Sequence, residues 1–267
     1  MFDLGQYLNR IGFAGQPGPD HNTLAQIQRR HSCSIPFENI SVLQGDPVSL
    51  AIDDIFAKLV VARRGGYCFE HNGLLLEVLR QIGFEVRHIG ARVRLGLPRD
   101  MAVRRTHVFV SVELDGDKWI VDAGFGGFSL TSPLRWELDI PQETPHETRR
   151  IVFEQGRYFH QALIGDAWQD LCEFLDEEMP MIDQEVSNWW TSTNPISKFK
   201  TSLTVGMAID DGTRLAVLND RFTRRRGSEV MEQKTIASSS ELIDLLADRY
   251  KLQFAIAPSF GEWPFVN

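Results

Sequence analysis

At residues 63–72 the chain reads RRGGYCFEHN, and this stretch decides how its first third folds. A Gly-Gly break precedes the Tyr-Cys pair, and the residues that follow have helical apolar spacing. We therefore expect Cys68 at or near the first turn of a helix, where free N–H groups and the helix dipole favour an anion. Such positions favour the thiolate, which is the reactive form of cysteine.

The segments around this stretch also predict helices. Apolar residues share one helical face near Tyr7 and Ile11, and a clear stripe runs through residues 52–60. The helix that follows Cys68 is expected to end at Gly83, a residue type suited to a left-handed cap. A proline-containing segment, residues 34–40, cannot be regular helix throughout. Residues 1 to 84 are therefore predicted to form a helical domain.

Composition excludes several function classes. The chain has 267 residues, of which 43% are hydrophobic and 24% charged, which is enough for one to three globular domains. A net charge of −8 argues against non-specific nucleic-acid binding, which needs a basic surface. There is no stretch of apolar residues long enough for a membrane span, so no membrane partner is expected.

Signals for export, disulfides and metal binding are also missing from the sequence. The N-terminus lacks a basic region followed by an apolar run, so a secretory signal is not expected. Three cysteines do not make a disulfide framework, and no Cys-x-x-Cys or His-Glu-x-x-His motif predicts a metal site. A reducing, cytoplasmic location fits these observations best, and no metal is expected.

From about residue 85 the apolar period changes to two, which predicts β-strands. Asp115-Gly116 is a strong hairpin-turn pair between two such runs. With these two as loop residues, three apolar pairs face one another: Val108 with Ala123, Val110 with Val121, and Val112 with Trp119. One face of the hairpin is then a coherent core face, and a slip of one residue would scramble it.

The other face of this hairpin carries residues with catalytic chemistry. His107 and Asp122 become diagonal neighbours there, roughly 6–8 Å apart along the backbone and within side-chain reach. A carboxylate beside a histidine fixes its tautomer and stabilises its cation. A histidine beside a thiol generates the thiolate. Cys68, His107 and Asp122 are therefore predicted to be nucleophile, base and orienting acid.

The remainder of the chain mixes short strands with less regular segments. Short β segments are expected to continue to about residue 175, and residues 176–200 are predicted to be irregular because they carry prolines and aspartates. Alternation returns in residues 203–209 and 215–218, on either side of a turn. Ser238 and Glu241 form a capping box for a final helix that runs to about Arg249.

At these motifs the chain resembles the arylamine N-acetyltransferase family, in the shorter form found in bacteria. The resemblance covers most of the chain, in the expected order, through six blocks: Tyr7-Leu8-Asn9-Arg10-Ile11-Gly12, Ile35-Pro36-Phe37-Glu38-Asn39-Ile40, Arg64-Gly65-Gly66-Tyr67-Cys68-Phe69-Glu70, Thr106-His107, Val121-Asp122-Ala123-Gly124-Phe125-Gly126 and, weakly, Asn194-Pro195-Ile196-Ser197-Lys198-Phe199.

The resemblance implies a multidomain α+β fold with a cysteine-protease-like Cys-His-Asp core. Its parts are a helical bundle with the cysteine at 1–84, an antiparallel β-barrel with the histidine and aspartate at 85–190, and a C-terminal α/β lid at 191–267. It also implies that acetyl-CoA donates an acetyl group to Cys68, from which an arylamine, an arylhydrazine or an N-hydroxyarylamine accepts it. Such a mechanism is ping-pong and uses no metal.

Further site residues follow from the resemblance, position by position. Three phenylalanines match positions that line the aromatic amine pocket: Phe37, Phe125 and Phe199. CoA is expected to approach Thr106, a residue also assigned to the substrate site, and the Gly126-Gly127 turn. Arg104 and Arg105 adjoin Thr106 and would supply positive charge for the anionic cofactor. Arg64 and Glu38 match positions that pair structurally, and Asn72 is expected to support the thiolate network.

Other functions fit part of this pattern. An amide synthase of the same fold would carry the same three residues but transfer a long polyketide acyl chain. A hydrolase or transglutaminase-like enzyme shares the Cys, His, Asp order and would transfer to water or to a protein amine. A non-catalytic CoA-binding protein has no need of a reactive thiol, so the intact set of three residues argues against it.

Overall fold

The computed structural model describes residues 1–260. These residues form eight α-helices: α1 (Leu4–Arg10), α2 (His21–Ser34), α3 (Ile40–Gln44), α4 (Ile52–Phe56), α5 (Cys68–Ile82), α6 (Met181–Thr193), α7 (Lys198–Thr201) and α8 (Ser239–Tyr250). A π-helical turn, Ala57–Val61, continues α4, and a 3₁₀ turn covers Gly126–Phe128.

Twelve strands form two sheets among the described residues. They are β1 (Phe37–Glu38), β2 (Glu85–Val93), β3 (His107–Leu114), β4 (Asp117–Val121), β5 (Leu134–Arg135), β6 (Arg149–Glu154), β7 (Arg157–Ile164), β8 (Ala167–Glu178), β9 (Thr204–Ala208), β10 (Arg214–Leu218), β11 (Arg221–Arg226) and β12 (Glu229–Thr235).

The larger sheet is antiparallel and curls into a nearly closed barrel. Its seven strands run in the order β5-β4-β3-β2-β8-β7-β6. The chain that follows the edge strand β5 reaches back to the opposite edge, β6, through bridges from Leu138 to Ile151 and from Gln142 to Arg149. Nearly closing the sheet in this way covers edges that would otherwise expose unpaired backbone groups.

The smaller sheet has the order β1-β9-β10-β11-β12. Apolar side chains of α8, such as Leu242 and Leu246, pack in one cluster with its strands. Its first strand, β1, lies early in the chain, and Phe37 pairs with Gly206 of β9. The proposed division into three domains therefore remains a prediction, since β1 connects the N-terminal helices with the C-terminal sheet. Residues 261–267 of the proposed third domain lie outside the described residues.

The predicted hairpin has the predicted register. Val110 pairs with Val121 and Val112 with Trp119, while the loop residues Asp115 and Gly116 have φ angles of 54° and 82°. Two positive φ angles are what a two-residue type I′ turn requires. The ladder ends at Val121, so the Val108–Ala123 pair of the predicted register lies beyond it.

The helical bundle and the hairpin share one core. Side chains of the hairpin face, including Val110, Val112 and Val121, pack with residues of the N-terminal helices such as Leu75 and Leu79. The face that the sequence predicted as a core face is therefore the one that seats the barrel against α5. This packing fixes where the opposite hairpin face lies relative to the start of α5.

One prediction for the chain between the sheets was wrong. Residues 176–200 are not irregular, because α6 spans Met181–Thr193 and α7 spans Lys198–Thr201. Pro180 is the N-cap residue of α6, and Asp183 lies in the first turn. Proline is tolerated at a helix start because the first N–H groups have no intrahelical partner, and an acidic residue there favours the helix.

A chain of hydrogen bonds links His71 of α5 to His31 of α2 and Tyr7 of α1. His71 Nε2 lies 3.2 Å from the carbonyl of Pro36, which can only accept, so this nitrogen carries the proton. His71 Nδ1 then accepts from His31 Nε2 at 2.9 Å, and His31 Nδ1 accepts from the Tyr7 hydroxyl at 3.0 Å. Every polar atom in this buried chain has a partner when both rings are neutral.

The structure contains no helix within residues 1–260 that combines the length and apolarity needed to cross a bilayer. In the same residues, no group of three or more His, Cys, Asp or Glu side chains is arranged to hold a metal ion.

The buried histidines make stability depend on pH. Burial lowers the pKa of His71 and His88 to about 4 and holds that of His31 well below the ordinary value of 6.5. At these three histidines the unfolded chain therefore binds more protons below pH 6.5 than the folded one. The free energy of unfolding should fall as the pH is lowered from 6.5 toward 4. Urea unfolding near pH 7 and about pH 5 measures this, and an unchanged midpoint would contradict it.

Candidate active site

Cys68 is the first residue of α5, as predicted, and close packing fixes the turn before it. A Cβ at Gly65 would come within 2.1 Å of the Pro36 carbonyl oxygen, so only glycine fits. The N–H of Tyr67 donates to a Glu70 carboxylate oxygen at 3.0 Å, and Lys58 Nζ lies 2.6 Å from the other oxygen. The helix start is thus held in place by a backbone constraint and a buried acid.

The hairpin brings His107 and Asp122 to this helix start. His107 Nε2 lies 2.7 Å from Asp122 Oδ2, and both side chains are buried. This contact leaves Nδ1 of the imidazole for the thiol, and Cys68 lies within hydrogen-bonding reach of His107. The Cys68 sulfur also lies 3.6 Å from the carbonyl oxygen of Thr106. The structure therefore brings together the three residues that the sequence singled out.

His107 and Asp122 each stabilise the charged form of the other. Burial alone would lower the pKa of His107, but the Asp122 carboxylate, with a further contribution from Cys68, raises it to about 10. Burial would raise the pKa of Asp122, but His107 and the hydrogen bond from Asn72 lower it. The imidazole is therefore a cation at neutral pH. Its contribution to stability is complete below pH 6.5 and declines as the pH rises toward 10.

Asn72, one turn after Cys68, joins the helix to the hairpin. Its Nδ2 donates to Asp122 Oδ1 at 2.9 Å and to the Val108 carbonyl at 2.7 Å, while its Oδ1 accepts from the Ala123 N–H at 3.1 Å. The amide uses both of its donor hydrogens and its acceptor in this way. Asn72 thus fixes the orientation of Asp122 relative to α5.

Gln28 is a site residue that the sequence reasoning missed. Its Oε1 accepts from the Asp122 N–H at 2.8 Å, and its Nε2 donates to the Leu130 carbonyl at 2.6 Å. Gln28 is fully buried in α2, next to the apolar positions Leu24 and Ile27. A glutamine within an apolar helical stripe was the available signal, because a buried amide needs partners.

Two of the three predicted pocket phenylalanines pack in the apolar cluster that contains Cys68, and the third contacts His107. Phe37 and Phe199 contact each other, with ring centroids 5.9 Å apart, and belong to the same apolar cluster as Cys68. Phe125 presents its ring edge-on to His107 at 4.8 Å. Flat apolar walls next to the sulfur suit an aromatic ligand.

The residues predicted to meet a cofactor lie on two segments. Thr106 contacts the thiol through its backbone carbonyl. Arg104 is exposed and lies over the Trp190 ring at 4.4 Å, whereas Nε and Nη2 of half-buried Arg105 have no hydrogen-bond partner among residues 1–260. The Gly126–Phe128 turn lies against Phe37, since a Cβ on Gly126 would meet that ring at 3.5 Å.

The pair expected between Arg64 and Glu38 is present. Arg64 Nη2 lies 2.9 Å from Glu38 Oε1, and the Glu38 side chain is fully buried. The second carboxylate oxygen accepts from the Ile40 N–H at 2.6 Å. Although burial raises the pKa of Glu38, nearby Lys58 and Arg64 lower it overall. This ion pair anchors the segment that carries Phe37.

The chain is similar to known proteins over most of its length. The sequence pattern of the N-acetyltransferase family matches residues 20–258. The chain is 42% identical over 252 residues to the arylamine N-acetyltransferase of Mycolicibacterium smegmatis, covering 93% of this chain and 91% of that protein. It is 35% identical over 249 residues to the Salmonella typhimurium arylamine N-acetyltransferase / N-hydroxyarylamine O-acetyltransferase, covering 93% of this chain and 88% of that protein.

Solved structures agree with the fold. The Mycobacterium marinum arylamine N-acetyltransferase in complex with CoA superposes with a TM-score of 0.89 at 35% identity, covering 94% of this chain and 93% of that chain. Because this likeness extends over nearly the whole of both chains, it includes the bundle, the barrel and the second sheet together.

Substitution of Gly124 tests whether the site requires the close approach of the hairpin to α5. A Cβ at this position would lie 2.6 Å from the Cys68 Cα and 2.7 Å from Asn72 Nδ2. Gly124→Ala should therefore push the hairpin away from the helix start and lower the free energy of unfolding by about 1–3 kcal/mol, the usual cost of overpacking. The melting temperature should fall accordingly, and iodoacetamide should alkylate Cys68 more slowly.

Gly73→Ala is the matched control for this variant. Gly73 follows Asn72 in α5, but a Cβ there meets only the end of the Ile55 side chain, at 3.3 Å. Alkylation at the wild-type rate is expected for Gly73→Ala. The same rate in Gly124→Ala would show that the close approach does not matter for the thiol.

Proposed function

This chain belongs to the arylamine N-acetyltransferase family, and from that premise we propose that Cys68 carries an acetyl group from acetyl-CoA to an aromatic amine. The enzyme is an acyltransferase. One observation carries the proposed role of Cys68: the buried His107–Asp122 pair, joined at 2.7 Å, lies within reach of the only one of the three cysteines that starts a helix.

The first proposed step loads the enzyme. The Cys68 thiolate, paired with the His107 imidazolium, attacks the carbonyl carbon of the acetyl-CoA thioester. The new carbon–sulfur bond forms as the bond to the CoA sulfur breaks, and the imidazolium donates its proton to the departing CoA thiolate. The products are acetyl-Cys68, free CoA and a neutral imidazole. Asp122 holds the ring throughout this step and stabilises its charged form.

The second proposed step transfers the acetyl group. The amine nitrogen attacks the acetyl carbon, and neutral His107 accepts the proton that the nitrogen loses. The Cys68 thiolate leaves, which regenerates the thiolate–imidazolium pair and releases the N-acetylated product. Arylhydrazines, and N-hydroxyarylamines attacking through oxygen, would react in the same way. The name of the Salmonella relative, which includes O-acetyltransferase, supports the last of these.

The walls around the thiol support an aromatic acceptor. Phe37, Phe125 and Phe199 offer apolar surfaces near the sulfur, and we assign them to the amine site. For CoA we assign Thr106, Arg104 and Arg105 on one segment and Gly126-Gly127 on the other. A CoA complex of a relative with the same fold supports CoA as the carrier of the acetyl group.

Cys68→Ser should abolish acetyl transfer, because a serine hydroxyl is a poor nucleophile at this position. The melting temperature should stay close to that of the wild type, because the substitution only replaces the sulfur atom with oxygen. The assay mixes acetyl-CoA with aniline or an arylhydrazine and follows CoA release and product. Wild-type enzyme should release CoA continuously only when the amine is present. Continuous release without amine would identify a hydrolase, and turnover in Cys68→Ser would remove the mechanism.

Asp122→Asn should lower kcat by about 10³-fold or more, because an amide leaves the imidazole in the wrong tautomer and does not stabilise its cation. Asp117→Asn is the matched control, since Asp117 lies in the same hairpin but pairs at the surface with Arg135. Steady-state rates with saturating acetyl-CoA and amine measure both variants. Equal rates in the two variants would contradict the role of Asp122.

A further inference from the structure

A buried glutamate lies among three arginines beside the amine site. Glu147 Oε1 is 2.6 Å from Arg214 Nε and 3.6 Å from Arg225 Nη1, and its Oε2 is 3.0 Å from Arg149 Nη2. The side chains of Glu147, Arg149 and Arg214 are almost completely buried, while that of Arg225 is 18% exposed. A buried carboxylate with three cations leaves an excess of positive charge, which is costly unless other acceptors satisfy it.

Those acceptors are three successive backbone carbonyls. Arg225, Arg149 and Arg214 each donate a hydrogen bond of 3.0 Å to the carbonyls of residues 127, 128 and 129, in that order. The guanidinium of Arg225 also lies 4.5 Å from the centre of the Phe128 ring. The cluster therefore holds the Gly126–Phe128 turn from one side, residue by residue.

Strand pairing and a β-bulge direct the Arg225 side chain toward this turn. Arg225 pairs directly with Arg214 on the neighbouring strand, an arrangement of like charges that is unfavourable by itself. Glu147 contacts both guanidinium groups and offsets that repulsion. A β-bulge between Arg224 and Arg225 interrupts the ladder at this point, and bulges commonly re-aim a side chain.

On its other side the turn faces the proposed amine pocket. Gly126 lies against the Phe37 ring, and a Cβ at Gly206 would come within 2.8 Å of the Gly127 nitrogen. The Asp122 carboxylate accepts from Asn72 and the Asp122 N–H donates to Gln28, and within residues 1–260 neither Asn72 nor Gln28 hydrogen-bonds the arginine cluster. A change in the arginine cluster should thus move the pocket wall without moving the acid that orients His107.

We propose that Arg225, balanced by Glu147, is a positioning residue that holds the Gly126–Phe128 turn. The turn is one wall of the amine pocket and, through Gly126-Gly127, also belongs to the proposed CoA site. The proposal rests on the function proposed above and names a part of the chain that sets affinity for the aromatic acceptor. Arg225 acts through the backbone of the turn and does not itself touch the amine.

The test compares Arg225→Ala with Arg224→Ala. Arg224 is the adjacent arginine on β11, but it contacts Thr213 and Asp211 near the surface and does not contact the turn. Arg225→Ala should raise the KM for the arylamine by about tenfold with a much smaller change in kcat. The rate of Cys68 alkylation by iodoacetamide, and its dependence on pH, should match those of Arg224→Ala.

Two results would overturn the proposal. An arylamine KM equal in the two variants would show that Arg225 does not position the pocket wall, and a shifted pH dependence of alkylation would place its effect on the thiol instead. If Arg225→Ala does not fold at the assay temperature, Arg225→Lys, which keeps the charge beside Glu147 but loses the forked donor, decides between the same outcomes. A wild-type enzyme without acetyl transfer would overturn the proposed function itself.

Discussion

The amide of Asn72 is the contact through which two parts of the chain become one site. It binds the carboxylate of Asp122, the carbonyl of Val108 and the N–H of Ala123, so the hairpin is fastened to α5 one turn after Cys68. Gly124 makes this attachment possible, because its missing side chain lets the two backbones approach. Without that approach the imidazole would have its acid partner but no sulfur beside it. The proposed chemistry therefore depends on the buried amide of Asn72 and on the absence of a side chain at Gly124.

The sequence predicts much of this arrangement because its signals are local. The position of Cys68 follows from the Gly-Gly break and the helical spacing after it, and the hairpin register follows from Asp115-Gly116 and the apolar pairs on either side. Wherever one face of a strand pair is buried, a single register satisfies it, and the positions of His107 and Asp122 are then determined as well. The barrel as a whole came only from the family resemblance, since its strand order involves pairings between distant segments.

What the sequence could not predict depends on partners far along the chain. Pro180 suggested an irregular segment, although it stands at the start of α6, where a missing N–H costs nothing. Gln28 looks like an ordinary helix residue until Asp122 and Leu130 are brought next to it. In the run of three arginines at 224–226 nothing local distinguishes Arg225 from its neighbours, yet Arg225 contacts Glu147, which lies far earlier in the chain. Long-range pairs of this kind leave no periodic signal.

The two-residue strand β1 has a consequence for how the protein is made. Phe37 and Glu38 pair with Gly206 and Val205, so the segment beside the thiol is completed by residues synthesised long after it. A contact of such long sequence separation forms late, because closing a long loop is entropically costly. During translation the bundle and barrel can assemble around the sulfur before this strand is in place. The segment that carries Phe37 therefore completes its strand pairing only after residues 205 and 206 have emerged from the ribosome.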